Sequence, residues 1–158
     1  MKVTIVIPCY NNATWVSQAV DSALNQVGIS PVVWVIDDHS TDDSWAKITA
    51  YGDKIHALRQ PENRGGNAAR HLGLQQVETE RVQFLDADDE LLRNKISTQI
   101  ALAEETTDLI YGPEIERIES SSSGTSYEYT HQLKPPHDPS VYWFRWQFAQ
   151  TASALWRT

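Results

Sequence analysis

The sequence predicts an α/β fold in three layers, a mostly parallel, Rossmann-like central sheet with helices on both faces. Three observations predict it. Short β-branched apolar runs alternate with stretches of helical apolar spacing through the first two-thirds of the chain, and such alternation builds parallel sheets. The first two runs, Val3 to Ile7 and Val32 to Ile36, are nearly unbroken apolar stretches, as in strands buried on both faces. The chain has 158 residues, 41% hydrophobic and 22% charged, enough for one domain with its own core and too apolar for disorder throughout.

Val3 to Ile7 is a β-branched run ending at Pro8 and reads as a buried strand. Val16, Ala19, Val20, Ala23, Leu24 and Val27 recur at helical spacing, and Gly28 and Pro31 close that helix. Val32 to Ile36 is a second strand, broken by Asp37-Asp38. Ser40 or Thr41 is the expected cap of the next helix, with Asp42 and Asp43 in its first turn and Trp45 and Ile48 turned inward. Ile55 to Leu58 is a weaker strand, followed by a loop from Pro61 to Gly66. Ala69, Leu72 and Val77 mark a helix, weakened by Gly73 inside it, and Val82 to Leu85 a strand that runs into Asp86-Ala87-Asp88-Asp89-Glu90. Ile96, Ile100 and Ala103 mark a further helix, and Leu109 to Tyr111 a fifth strand.

After Gly112 the pattern changes. Glu114 to Glu119 and Tyr127 to Thr130 flank a serine run, which reads as a hairpin or, on the run alone, as an irregular loop. Lys134 to Pro139 is a connector, followed by an aromatic helix around Tyr142, Trp143, Phe144, Trp146 and Phe148. That aromatic face suits burial better than the edge of a binding site. Ala152 to Trp156 begin another strand.

Charge and cysteine content exclude several functions. Thirteen Lys and Arg against 21 Asp and Glu give a net charge of −8, which argues against sequence-independent nucleic-acid binding and against docking on anionic lipid. Cys9 is the single cysteine, so neither an internal disulfide nor a cysteine zinc cluster is expected. Its place beside Pro8, with no basic residue adjacent in sequence, marks a packed side chain and not a nucleophile. No apolar run has the length of a membrane span, and the apolar start meets Pro8 too soon for a signal peptide. The expected location is cytoplasmic, and Asn12-Ala13-Thr14 reads as a chance sequon. Trp15, Trp34 and Trp45 sit on predicted elements and are expected in the core.

In an open parallel sheet, ligands bind beyond the carboxyl ends of the strands. Here those ends carry Pro8, Tyr10 and Asn11, then Asp37 and Asp38, then Asn63, Arg64, Gly65 and Gly66, and finally Asp86, Asp88 and Asp89. Two acid clusters on one sheet edge repel each other unless a cation joins them. Asp86-Ala87-Asp88 after a strand suits a hard divalent ion with positions left open for phosphate oxygens and water.

Four segments together resemble one family. Ile5-Val6-Ile7-Pro8-Cys9-Tyr10-Asn11, Ile36-Asp37-Asp38-His39-Ser40-Thr41-Asp42, Asn63-Arg64-Gly65-Gly66-Asn67-Ala68-Ala69-Arg70-His71-Leu72-Gly73 and Phe84-Leu85-Asp86-Ala87-Asp88-Asp89 look like the ordered motifs of the family 2 glycosyltransferases. The resemblance implies a GT-A-like fold, an inverting transfer from a nucleotide-sugar such as a UDP-sugar, and Mg2+ or Mn2+ as cofactor. Carried over by position, it implies that Pro8 and Tyr10 wall the nucleoside, with Asn11 and Asn63 among the donor-binding residues. Asp38 or its neighbour Asp37 accepts the uracil N3–H. Asp86 faces the ribose or the metal, and Asp88 binds the metal, a duty Asp89 shares. Arg70 either holds phosphate or pairs with an acid on a neighbouring turn. His39 stands where the family commonly carries glycine, which predicts a left-handed backbone that histidine tolerates better than a β-branched residue.

Residues 1–112 are expected to form the nucleotide-sugar and metal-binding half of a single domain, and 113–158 the start of an acceptor-side half. Inversion needs a general base. In the resembling family it follows the strand that Thr151 to Trp156 begin, whereas Glu114, Glu116, Glu119 and Glu128 fall on or beside the hairpin and Asp138 in the connector. The reading is therefore a truncated transferase that binds donor and transfers sugar poorly or not at all, its base expected beyond residue 158 and its acceptor unassigned. Two rivals come from other classes. One is a receiver-type phosphoacceptor module, although its acid pair should end the first strand, not the second. The other is an inactive nucleotide- or glycan-binding module on the same fold.

Overall fold

β1 (Lys2–Cys9) lies at the centre, paired in parallel with β2 (Ser30–Asp37) on one side and with β4 (Arg81–Phe84) on the other. β3 (His56–Arg59) adds in parallel to the far side of β2. Beyond β4 come β8 (Ala154–Arg157) and then β5 (Leu109–Tyr111), giving the order β3-β2-β1-β4-β8-β5. β8 runs antiparallel to both neighbours. The fifth strand thus does not extend the parallel ladder from β4, because the later β8 occupies that edge first. β6 (Glu114–Ser120) and β7 (Gly124–Thr130) form a separate antiparallel hairpin. The computed structural model describes residues 1–104, 106–111, 114–120, 124–130 and 154–158. The Lys134–Pro139 connector and the aromatic helix expected around residues 142–148 lie outside the described residues.

Side-chain alternation along the strands makes two cores. Val3, Ile5 and Ile7 of β1, with Val33 and Val35 of β2, pack against α1 (Val16–Leu24), α2 (Ser44–Thr49) and α4 (Lys95–Ala101) through Val16, Ala19, Val20, Ala23, Ile48 and Ile96. On the opposite face Val6, Ile36 and Val82 pack against Ala69 of α3 (Gly66–Leu74), joined by Leu72 and Val77. This is the three-layer arrangement that the alternation predicts. Trp45 packs against the first core and Trp34 against the second, both half-buried, and Trp34 also stacks on His56 with centroids 4.5 Å apart.

The helix ends differ from the sequence expectation for identifiable reasons. α1 stops at Leu24, and Val27 leaves the helix because its N–H donates to the Arg93 carbonyl, 2.9 Å away. Asp43, not Ser40 or Thr41, precedes α2. The Ser40 hydroxyl instead accepts the Asn11 N–H, and Thr41 donates its N–H and hydroxyl to the Asn11 side chain. Val77 lies beyond α3 yet still packs on the second core. At Gly73 the helix lies close on the sheet: a Cβ there would fall 2.3 Å from Val6 Cγ1 and 3.2 Å from Ile36 Cγ1. The residue that weakens the helix by propensity is the one that lets it sit on β1 and β2. Among the described residues no helix is long and apolar enough to cross a membrane.

Candidate active site

The chain leaves β1 toward β2 through α1, and reaches β4 on the other side of β1 from β3 through α3. The strand order therefore reverses at β1, and a crease opens between the carboxyl ends of β1 and β4, the usual ligand position in open α/β sheets. The ladders run one residue past the strand ends. Asp38 N–H donates to Cys9 O, Gln60 N–H to Asp37 O and Leu85 N–H to Val6 O. Pro8 follows that last bond on the β4 side of β1, so its missing N–H costs nothing where the two strands part.

The crease is a cleft of about 180 Å3, lined by Pro8, Cys9, Tyr10, Asn12, Asp38, Gly66, Ala69, Arg70, Asp86, Ala87 and Asp88. Of the residues singled out in the sequence, Pro8, Tyr10, Asp38, Arg70, Asp86 and Asp88 come together here. Asn11, Asp37, Asn63 and Asp89 do not line it.

The Asp37-Asp38 pair separates into two roles. Asp37 is fully buried: Oδ2 accepts from Arg59 Nε at 3.0 Å and from the Ser40 N–H at 3.2 Å, while Oδ1 has no partner among the described residues. Arg59 also donates to the Ser40 carbonyl and lies over the Trp45 ring. Asp37 is thus built into the packing behind the cleft. Asp38, only 1% exposed, receives Gln60 Nε2 at 2.5 Å and Arg64 N–H at 2.9 Å on Oδ1, and Gly65 N–H at 2.7 Å on Oδ2. Its carboxylate therefore shapes the turn into α3. His39, next in the chain, takes φ 62°, the left-handed conformation expected of the glycine-like position, and its Nδ1 lies 3.2 Å from Gln60 O.

Across the cleft, Arg70 Nη2 meets Asp86 Oδ1 at 2.5 Å, while Arg70 Nε is buried with no partner among the described residues. Asp88 is exposed and makes no hydrogen bond or ion pair among the described residues. The Asp89 N–H donates to Asp86 O, closing the turn that presents both acids. Among the described residues no three His, Cys, Asp or Glu side chains gather into a cage for an ion. Small ions that keep waters and bind through one or two carboxylates plus phosphate oxygens need no such cage. An unpartnered Asp88 beside Asp86 fits that requirement.

The remaining wall is pinned by Asn12, Asp42 and Ser44. Asn12 N–H donates to Ser44 Oγ at 2.8 Å, and the Asp42 carboxylate receives the Ala13 N–H and both the N–H and hydroxyl of Ser44. Slight burial pushes the Asp42 pKa up, but these hydrogen bonds outweigh it and hold the group below the ordinary carboxylate value. Asn12 and Gln60 carry no local signal in the sequence. Both lie in polar loops, and only contacts across 22 or more residues reveal them.

Burial pushes the Cys9 thiol up to about 11, aided by the nearby Asp37 charge and opposed by a hydrogen bond with Ser44. Iodoacetamide at pH 8 should therefore label native Cys9 far more slowly than the denatured chain; equal rates would contradict the burial. Unfolded Cys9 ionises near its ordinary 9.0 while the folded thiol keeps its proton to about 11. This contribution to stability is fully present below pH 9 and is lost as pH rises through 11.

The sequence profile described as glycosyl transferase family 2 matches residues 4–155. An uncharacterized glycosyltransferase of Rickettsia bellii is 34% identical over 119 residues, covering 75% of this chain and 17% of its own length. The Escherichia coli UDP-Glc:alpha-D-GlcNAc-diphosphoundecaprenol beta-1,3-glucosyltransferase WfaP is 34% identical over 103 residues, 65% of this chain and 41% of its own. Among solved structures, S. aureus TarS 1-349 in complex with UDP superposes with a TM-score of 0.73 at 22% identity, covering 99% of this chain and 47% of that one. The mannosyltransferase PcManGT from Pyrobaculum calidifontis, in complex with GDP-Man and Mn2+, gives a TM-score of 0.62 at 24% identity over 68% of this chain and 34% of its own. The chain thus spans less than half the length of these relatives.

Proposed function

The chain belongs to glycosyl transferase family 2, and on that basis we propose that the cleft binds the donor of an inverting sugar transfer, a UDP-sugar with Mg2+ or Mn2+. The observation that carries this reading is the convergence of Asp38, Arg70, Asp86 and Asp88 on one crease at the point where the strand order reverses. TarS structures hold UDP and UDP-GlcNAc, and the name of WfaP gives UDP-Glc as donor; both support uracil as the base. The family match leaves the receiver reading without support.

In this reading Pro8 and the half-exposed Tyr10 ring wall the nucleoside. Asp38 receives the uracil N3–H on Oδ2, a choice that excludes cytosine, whose N3 is an acceptor. Arg70 keeps Asp86 in place through Nη2 and offers its unpartnered Nε to the donor. Asp88, with Asp86, would hold the divalent ion, which when bound neutralises the diphosphate and assists its departure as a Lewis acid. Without an ion, three lining carboxylates against one guanidinium would repel the diphosphate. The acceptor and its general base are unassigned, and cytoplasmic location follows as part of the same proposal.

Titration calorimetry with UDP, with and without Mn2+, tests the reading. Binding is expected, and it should be markedly tighter with Mn2+. Absence of heat under both conditions would remove the donor assignment.

A further inference from the structure

The contacts of Asp38 are unequal in a way that singles out a residue with no assigned role. A carboxylate offers about four lone-pair sites. Protein donors fill two on Oδ1, from Gln60 Nε2 and Arg64 N–H, and one on Oδ2, from Gly65 N–H. The two backbone donors belong to the turn itself. The third is a side chain that must be aimed, and Gln60 is built for aiming. It is 5% exposed, its N–H is tied to Asp37 O at 2.8 Å, and its carbonyl is contacted by His39 Nδ1.

We propose that Gln60 is a positioning residue for nucleobase choice. Its amide pins Oδ1, so that Oδ2 alone is offered to a ligand and only as an acceptor. This rests on the proposed UDP-sugar reading, which it deepens. Without the amide, Oδ1 loses one of two donors inside a buried site. The carboxylate is then free to rotate, and Oδ2 no longer meets the base edge at one fixed angle. A purely structural Gln60 would change stability without changing which base is preferred.

The test is calorimetry of UDP and CDP, each with Mn2+, on the parent chain and on Gln60→Met, which keeps the length and removes the donor. The parent is expected to favour UDP by about tenfold or more, the worth of one charge-assisted hydrogen bond. In Gln60→Met the preference should fall to within about threefold, through weaker UDP binding, with a melt that stays cooperative. If the Met variant fails to fold, Gln60→Asn, which keeps the amide but shortens its reach by one methylene, carries the same expectation. A variant that folds and keeps the parent preference overturns the inference and leaves the UDP reading standing. Equal parent affinity for the two nucleotides overturns both the inference and the pairing of Asp38 with uracil, and leaves only nucleotide binding at the cleft standing. A parent that binds neither overturns the UDP reading and this inference with it.

Discussion

Asp88→Ala is expected to erase the difference between UDP binding with and without Mn2+. Asp88 is the one acid on the cleft that is exposed and makes no hydrogen bond or ion pair among the described residues. Asp38 is saturated by backbone and Gln60 donors on Oδ1, and Asp86 is held by Arg70. Residues that merely orient metal ligands already change affinity by about 10–100-fold when mutated, so loss of a direct ligand should remove at least a hundredfold of the Mn2+ enhancement. Asp38→Ala makes the contrast. It should weaken UDP by about tenfold to a hundredfold, the cost of a charged hydrogen bond, and leave the ratio between Mn2+ and chelator nearly as in the parent. Calorimetry of both variants, each with Mn2+ and with EDTA, separates the two roles. An Asp88→Ala chain that retains the parent's Mn2+ enhancement would show that the ion, if bound, is held elsewhere.

Much of the cleft's lining is legible in the sequence alone, and the reason is local. A β-branched run that stops at Pro8 or at Asp37-Asp38, or a short apolar run that stops at Asp86, announces both a buried strand and the chemistry at its end. In a parallel sheet all such ends lie on one edge. The left-handed backbone at His39 is expected only through the family resemblance, in which that position commonly holds glycine. What the sequence left open were choices settled across the chain. Asp37 and Asp38 are adjacent, and nothing local tells which meets Arg59 and which meets the turn at Arg64 and Gly65; the register of β3 against β2 decides. The partner of Arg70 likewise depends on α3 lying over β4, which brings Asp86 within reach across 16 residues.

The helix caps fail for the same reason. Ser40 and Thr41 have the right chemistry to cap α2, but the loop after β1 competes for them through Asn11. That competition draws the two loops bearing Tyr10 and Asp38 together, so a cap was given up where the cleft needed a wall. Gln60, next to Pro61, looks like an ordinary loop residue until the fold folds it over Asp38.

Gly73→Ala should destabilise the chain although alanine is the better helix former. Propensity alone favours alanine by about 1 kcal/mol. At this position the new methyl would lie 2.3 Å from Val6 Cγ1 and 3.2 Å from Ile36 Cγ1, and both neighbours are fully buried. Neither can give way without moving the sheet. Overpacking of this kind costs about 1–3 kcal/mol and occasionally more, which outweighs the helix gain. Gly73→Leu is expected to abolish folding, since the whole stability of such a domain is only about 5–15 kcal/mol. A double-mutant cycle assigns the cause. Val6→Ala alone leaves a cavity and destabilises, but combined with Gly73→Ala it removes the clashing Cγ1, so the pair should cost less than the sum by about 1 kcal/mol or more. Strict additivity in urea melts would show that the helix relieves the overlap by other means. The same cycle bears on function, because α3 begins at Gly66 on the cleft and carries Ala69 and Arg70. A helix lifted from β1 takes the Arg70 guanidinium away from Asp86. Gly73→Ala should therefore bind UDP more weakly even under conditions where it is fully folded, and Val6→Ala in the same chain should restore part of that loss.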